Sequence, residues 1–143
     1  MVDSFQLLVV SWFKFITAHT MVIKSFEEML CWQKSQELAV FIYKIFNQLK
    51  DFSFRDQICR AAVSISNNEA EGFDRKSNKE FVYFLHISRG SNSEVKSMLY
   101  LAKELLYLQD DVFRNGILLC DESGKLINGL INYLTNYKEQ ANK

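Results

Sequence analysis

Five polar side chains crowd one short stretch of this chain: Asn68, Glu71, Arg75, Ser77 and Glu80, with Gly72 among them. Two carboxylates beside an arginine are the ingredients of an acid–base site, where one group moves a proton while its neighbour sets the local charge. Such a site ordinarily adds a nucleophile or a metal ligand, and none stands nearby. A structural role fits better. Arg75 would tie down a helix end through a charge-assisted hydrogen bond to Glu71. Ser77-Asn78-Lys79-Glu80 would open a helix as a capping box, the Ser77 hydroxyl accepting from the Glu80 amide and the Glu80 carboxylate reaching back to the Ser77 amide.

Other chemistry is sparse. His86 has no cysteine or second histidine at ligand spacing, His19 being far upstream. Glu37 and Glu94 do not form the Glu-x-x-His repeats of di-iron bundles. There is no phosphate-cradling glycine loop and no Gly-x-Ser-x-Gly elbow. Lys79, Arg89, Lys96 and Lys103 share a helix with Tyr83 and Tyr100, an interleaving suited to phosphates and stacked bases. With Arg60, Arg75 and Lys76 they are the candidate contacts for nucleic acid or another partner. Glu80, Glu94 and Glu104 on the same helix dilute that signal. The 17 basic residues are matched by 17 acidic ones, so composition announces no basic patch. Cys31, Cys59 and Cys120 are odd in number and far apart, which fits free thiols in a reducing cytosol. The expectation is a protein with no catalytic residue, cofactor or metal: not an enzyme.

The elements that must position these residues are helical. With 143 residues, 48% of them hydrophobic, the chain is long enough for one real core. It has no proline and only five glycines, which suits long uninterrupted helices. Ser25-Phe26-Glu27-Glu28 reads as a capping box opening a first helix to about Lys50, on whose inner face Leu38, Ala39, Ile42, Ile45, Phe46 and Leu49 recur. Asp51 and Phe52 form a tight connection, and Ser53 with Asp56 is placed to cap the second helix. There Phe54, Ile58, Ala61, Ala62 and Ile65 line one face, and Gly72 is expected to stop the helix in the left-handed conformation. Glu69 would continue that stripe. A carboxylate there is expected at the bundle end, reaching water, Arg75 or Lys76.

The third helix is expected from Asn78 to about Leu108. Phe81, Leu85, Ser88, Asn92, Val95, Leu99, Ala102 and Leu106 make a heptad seam. A second stripe (Phe84, Ile87, Leu101, Leu105, Leu108) should reach a further neighbour. Ser88, Gly90 and Ser91 are expected to let another backbone come close. Gln109 to Asp111 turns the chain, either aspartate being able to cap a fourth helix whose stripe is Leu119, Leu126, Leu130, Leu134 and Tyr137. Gly116, Gly124 and Gly129 should weaken that helix by up to about 1 kcal/mol each.

Short links between four one-faced helices predict an all-α, antiparallel up-down-up-down bundle over residues 23–143. Residues 1–22 read as an upstream extension, disordered or loosely packed, with Met21 as the natural start. The rival is a short accessory helix. The apolar run Leu7 to Phe13 is too short to span a bilayer, and no membrane association is expected.

The segments just described resemble a bacterial four-helix bundle protein family. It includes proteins encoded in intervening sequences of large-subunit ribosomal RNA genes and, more distantly, the accessory variability determinant of diversity-generating retroelements. The resemblance spans about Ser25 to Tyr137. It is carried by Phe26-Glu27-Glu28, Trp32-Gln33-Lys34, Gln57-Ile58-Cys59-Arg60-Ala61-Ala62-Val63-Ser64-Ile65, Asn68-Glu69-Ala70-Glu71-Gly72-Phe73, Glu80-Phe81 and Phe84-Leu85-His86-Ile87-Ser88-Arg89-Gly90-Ser91 with Glu94. It implies a bundle that assembles with itself into a ring, typically a pentamer, without catalytic activity. The retroelement relatives bind a reverse transcriptase and nucleic acid, RNA or DNA, through a basic surface. Two positions depart from the pattern: Cys59 where an arginine is usual, and Glu69 where isoleucine is usual. Aromatics such as Trp12, Phe13, Trp32, Phe41 and Tyr43 exceed what four helices need to hide, which suits assembly.

Overall fold

The computed structural model describes residues 23–141, with side chains through residue 136. Expectations about residues 1–22, Trp12, Phe13, His19 and Tyr137 lie outside the described residues. A single 3-10 turn, Phe26–Glu28, precedes four α-helices: α1 (Leu30–Phe46), α2 (Phe52–Phe73), α3 (Asn78–Glu104) and α4 (Asp110–Ala141). Each helix packs on its sequence neighbours, and α1 closes the square against α4. The links cover residues 47–51, 74–77 and 105–109, too short for anything but antiparallel neighbours.

The core follows the inward stripes. Leu38, Ile42 and Phe46 of α1 meet Ile58, Ala62 and Ile65 of α2, Leu85, Val95, Leu99 and Ala102 of α3, and Cys120 and Ile127 of α4. Each large side chain taken fully from water contributes about 1.5–3 kcal/mol, against the entropy of ordering the chain. On α4 the buried line runs through Phe113, Cys120, Ser123, Ile127, Ile131 and Leu134, whereas Leu119 and Leu130 are only partly covered. Leu126 and Leu134 of the expected stripe are thus buried, and the core face extends to Cys120 and Ser123, which the expected stripe did not include.

The ends of the helices differ from expectation in ways with local causes. Ser25 makes no side-chain cap; instead the Glu28 Oε2 accepts from the Lys24 amide at 3.0 Å. Met29 then turns to extended backbone (φ −74°, ψ 127°), so the Phe26 segment is one tight turn and α1 begins at Leu30. The cap of α2 is Asp51, whose Oδ1 accepts from the Phe54 amide at 3.1 Å; Ser53 and Asp56 lie inside the helix. Ser77 caps α3 as expected, its Oγ accepting from the Glu80 amide at 3.2 Å, but the Glu80 carboxylate accepts from the Ser77 hydroxyl rather than the amide.

Gly72 is not a left-handed stop. It lies inside α2, and the helix runs on to Phe73. Its role is closeness: a Cβ there would lie 2.8 Å from the Phe84 Cβ, 2.9 Å from Phe81 Cδ2 and 3.3 Å from the Phe81 carbonyl oxygen. Gly116 likewise passes 2.9 Å from a Leu99 methyl, measured to the Cβ it lacks, and Gly124 3.1 Å from Asn92 Nδ2. The glycines of α4 thus serve packing as well as costing helix propensity. Gly90, by contrast, faces open space, with nothing within 4 Å of an added Cβ.

The left-handed residue is Leu106, with φ 61°. The Tyr107 amide donates to Ala102 O at 2.8 Å and the Leu106 amide to Lys103 O, the pattern that ends a helix with its last carbonyls satisfied. The seam of α3 therefore stops at Ala102, and Leu106 is 89% exposed rather than buried.

Candidate functional site

Around the turn between α2 and α3, Arg75 Nη2 donates to Glu71 Oε1 at 2.7 Å and its guanidinium lies over the Phe84 ring at 4.6 Å. Asn68 does not join this cluster. One turn earlier, its Nδ2 donates to the Ser64 carbonyl at 2.7 Å, because a half-buried amide on a helix finds the carbonyl four residues back. What remains is a set of exposed caps and ties with no concave site between them.

The candidate contact residues divide. Arg89 donates to Asn128 Oδ1 at 3.1 Å and Lys96 to Asp121 at 2.6 Å, both bridging α3 to α4, while Lys103 sits 4.7 Å from the centre of the Phe113 ring. These and Arg75 are occupied within the bundle. Arg60, Lys76 and Lys79 are exposed. Arg60 borders two shallow surface grooves. The first is lined by Tyr43, Asn47, Arg55, Asp56 and Cys59; the second by Ser53, Gln57, Ser64, Ser91 and Glu94. Asp56 and Glu94 keep both from being strongly positive.

The three thiols are free and buried. Burial pushes the Cys120 thiol up to about 12, and burial raises those of Cys31 and Cys59 as well. A thiol held protonated is a poor nucleophile. Among the described residues no three His, Cys, Asp or Glu side chains gather as a metal site would require.

The least expected feature is Glu69. It does not lie at the bundle end; it is fully buried at the centre, 0% exposed, and it meets neither Arg75 nor Lys76. The stripe of Ile58 and Ile65 does continue through it, so the helical register places the carboxyl among one hydroxyl from each other helix. Ser35 of α1 donates to Glu69 Oε1 at 2.9 Å, and Ser35 Oγ lies 3.0 Å from Ser123 Oγ of α4. Ser88 of α3 approaches Oε1 at 3.4 Å but has one proton, which its 2.9 Å bond to Ile65 O uses better. Oε2 has no partner. Burial pushes the Glu69 carboxyl up to about 8, against the opposing pull of the Ser35 and Ser88 hydroxyls. At neutral pH the group is a neutral acid.

The spacing of Ser35, Ser88 and Ser123 on inward faces was a legible signal of this cluster. Of the three only Ser88 belongs to an expected seam, where its small side chain suggests tight helix packing or, as the rival, an exposed groove for a ligand or partner.

No helix among the described residues is long and apolar enough to cross a membrane. No curated protein matches the sequence. Among solved structures, the chain is similar to a protein of unknown function from the S23 ribosomal protein family of Bacteroides thetaiotaomicron. The two are 28% identical, with a TM-score of 0.68 over 71% of this chain and 98% of the other. The sequence profile of the 23S rRNA-intervening sequence proteins matches residues 27–129, a span that takes in α1, α2, α3 and most of α4. On that match, the four-helix chain described above belongs to the 23S rRNA-intervening sequence protein family.

Proposed function

We propose that this protein is a non-enzymatic scaffold or adaptor that works as a homo-oligomeric ring, five subunits being the number its resemblance implies. One observation carries the reading. The outer face of α3 bears Tyr83, Ile87, Leu101 and Leu105 at helical spacing, 63%, 37%, 49% and 45% exposed, with the bare backbone of Gly90 between them. Ile87, Leu101 and Leu105 belong to the second stripe expected on α3, whose Phe84 and Leu108 are partly buried, and among the described residues these three stay exposed. An apolar line broken only by Glu94 and small residues is what a facing helix of another copy would bury. The buried, protonated thiols and the fully tied turn cluster leave such a surface as the feature with most to do.

Light scattering on the full chain tests this. Assembly predicts a mass several times 16.8 kDa at about micromolar concentration. Leu101→Lys should return it to the monomer without loss of helicity. A wild-type chain that stays at monomer mass at every concentration would overturn the proposal.

A second reading, an accessory protein binding nucleic acid and a reverse transcriptase, is favoured by Arg60, which borders both grooves beside Arg55 and the exposed Tyr43. Symmetry would multiply such a weak site. Binding to structured RNA that weakens steeply with salt, and is lost in Arg60→Ala, would support it. No binding at low salt would dismiss it.

A further inference from the structure

Among the described residues Glu69 is the one fully buried carboxyl, and all four helices converge on it: Ser35 from α1, Glu69 itself from α2, Ser88 from α3 and Ser123 reached through Ser35 from α4. Among the described residues no salt bridge reaches it. The titratable group that faces it is the Cys31 thiol on α1, one turn before Ser35, which the Glu69 charge would raise further and so keep neutral. Lys34, the residue before Ser35, is held by Glu37 at 2.7 Å and Glu122 at 3.2 Å. The hydroxyls form a directed chain, with Ser123 able to donate to Ser35 and Ser35 donating to Glu69 Oε1. Oε2 is left as the place for the acid's own proton.

We propose that Glu69 is a proton-operated latch: protonated, it is a neutral member of a hydroxyl cluster joining all four helices, and deprotonated, it places an unbalanced charge among them and loosens α1 from the other three helices. The direction of opening follows from the contacts. The α2–α3 pair is locked independently where Gly72 meets Phe81 and Phe84 and where Ser64 meets Ser91 at 3.0 Å. The α3–α4 pair is held too, by Asn92 donating to Cys120 O at 3.0 Å and by Lys96 on Asp121, whereas α1 meets the cluster through Ser35, which bonds both Glu69 and Ser123, with the Lys34–Glu122 ion pair at its edge.

The linkage has a definite sign. Unfolded, the carboxyl titrates at its ordinary 4.5; folded, at about 8. Between those values the folded chain holds one proton more, so stability falls as pH rises, and it is level again above the folded value.

The test uses the full chain, with Glu69→Gln and Glu69→Ile as neutral replacements. In denaturant titrations the wild-type folding constant should fall about a hundredfold between about pH 5.5 and about pH 7.5 relative to each variant, tenfold per unit. The carboxyl carbon of Glu69, followed by NMR, should titrate near 8. Above that point, amide exchange in α1 should accelerate in the wild type beyond its normal base catalysis, and not in the variants. Parallel pH dependence in wild type and both variants, or a carboxyl that titrates in the ordinary range, would overturn the latch. So would titration near 8 without faster exchange in α1, since the charge would then be tolerated with the bundle closed.

Discussion

Replacing Gly72 by alanine should destabilise the bundle, although the same change at an ordinary helical glycine stabilises by about 1 kcal/mol. The reason lies in what the new methyl meets. The Phe84 Cβ, at 2.8 Å, is fixed to the backbone of α3 and cannot swing aside. The Phe81 ring, at 2.9 Å, is held edge-on against Phe73 at 6.1 Å. Relief therefore requires the end of α2 and the start of α3 to part by about half an ångström in a close-packed interior. Overpacking of that kind costs about 1–3 kcal/mol. Set against the propensity gain, the net loss should be about 1 kcal/mol, or a fall of about 3 °C in Tm for a chain of this size. Gly90→Ala is the matched control, because an added methyl there meets nothing within 4 Å. It should gain up to about 1 kcal/mol in the isolated bundle. If a second copy covers α3, the gain should shrink as protein concentration rises. Thermal and urea melts of the two variants side by side decide the matter. A Gly72→Ala protein as stable as Gly90→Ala would mean that the two helices do not approach as described.

Leu106→Gly should raise stability by about 1 kcal/mol, since it removes a side chain from a left-handed residue without burying or exposing any core, and a melt would show it. Ala62→Glu should prevent folding, because the methyl it replaces is fully buried between helices and a charge there has no partner; a soluble variant that melts cooperatively would refute this. Asp51→Ala should cost about 1–2 kcal/mol, read by urea titration, through loss of the α2 cap and of the Tyr107 hydroxyl's acceptor at 2.8 Å. Asp51→Asn, which keeps a capping oxygen, should cost less.

Periodicity carried most of the fold. Three- and four-residue spacing is a property of the helix, so the inner faces of α1, α2 and α3 could be read from Leu38 to Phe46, Phe54 to Ile65 and Leu85 to Ala102 before any coordinates. Boundaries were less visible because they turn on which of several nearby polar groups captures an amide. Asp51 outcompeted Ser53, and Leu106 took a conformation that glycine usually holds. Gly72 misled for a related reason. A glycine near a helix end serves left-handed backbone or close approach equally well, and only the position of Phe84 distinguishes them. Of the candidate contact residues, the sequence could name the charges but not their partners. Arg89, Lys96 and Lys103 meet Asn128, Asp121 and Phe113 of α4. Glu69 was placed at the end of the bundle because a buried unpaired carboxylate is costly. Burial favours protonation, which removes most of that cost, and the serines that surround the carboxyl come from three separate segments.

Asp51 has two oxygens and uses them on different parts of the chain. One caps α2, while the other receives the hydroxyl of Tyr107, the residue that follows the left-handed Leu106 beyond α3. Phe54, stacked edge-on between Phe46 and Tyr107 at 5.5 and 5.4 Å, reinforces the same junction. Two hairpin bends more than fifty positions apart along the polypeptide are thereby riveted together at one pole of the molecule. Neither should be able to unzip alone, and in exchange experiments they should open and close as one unit.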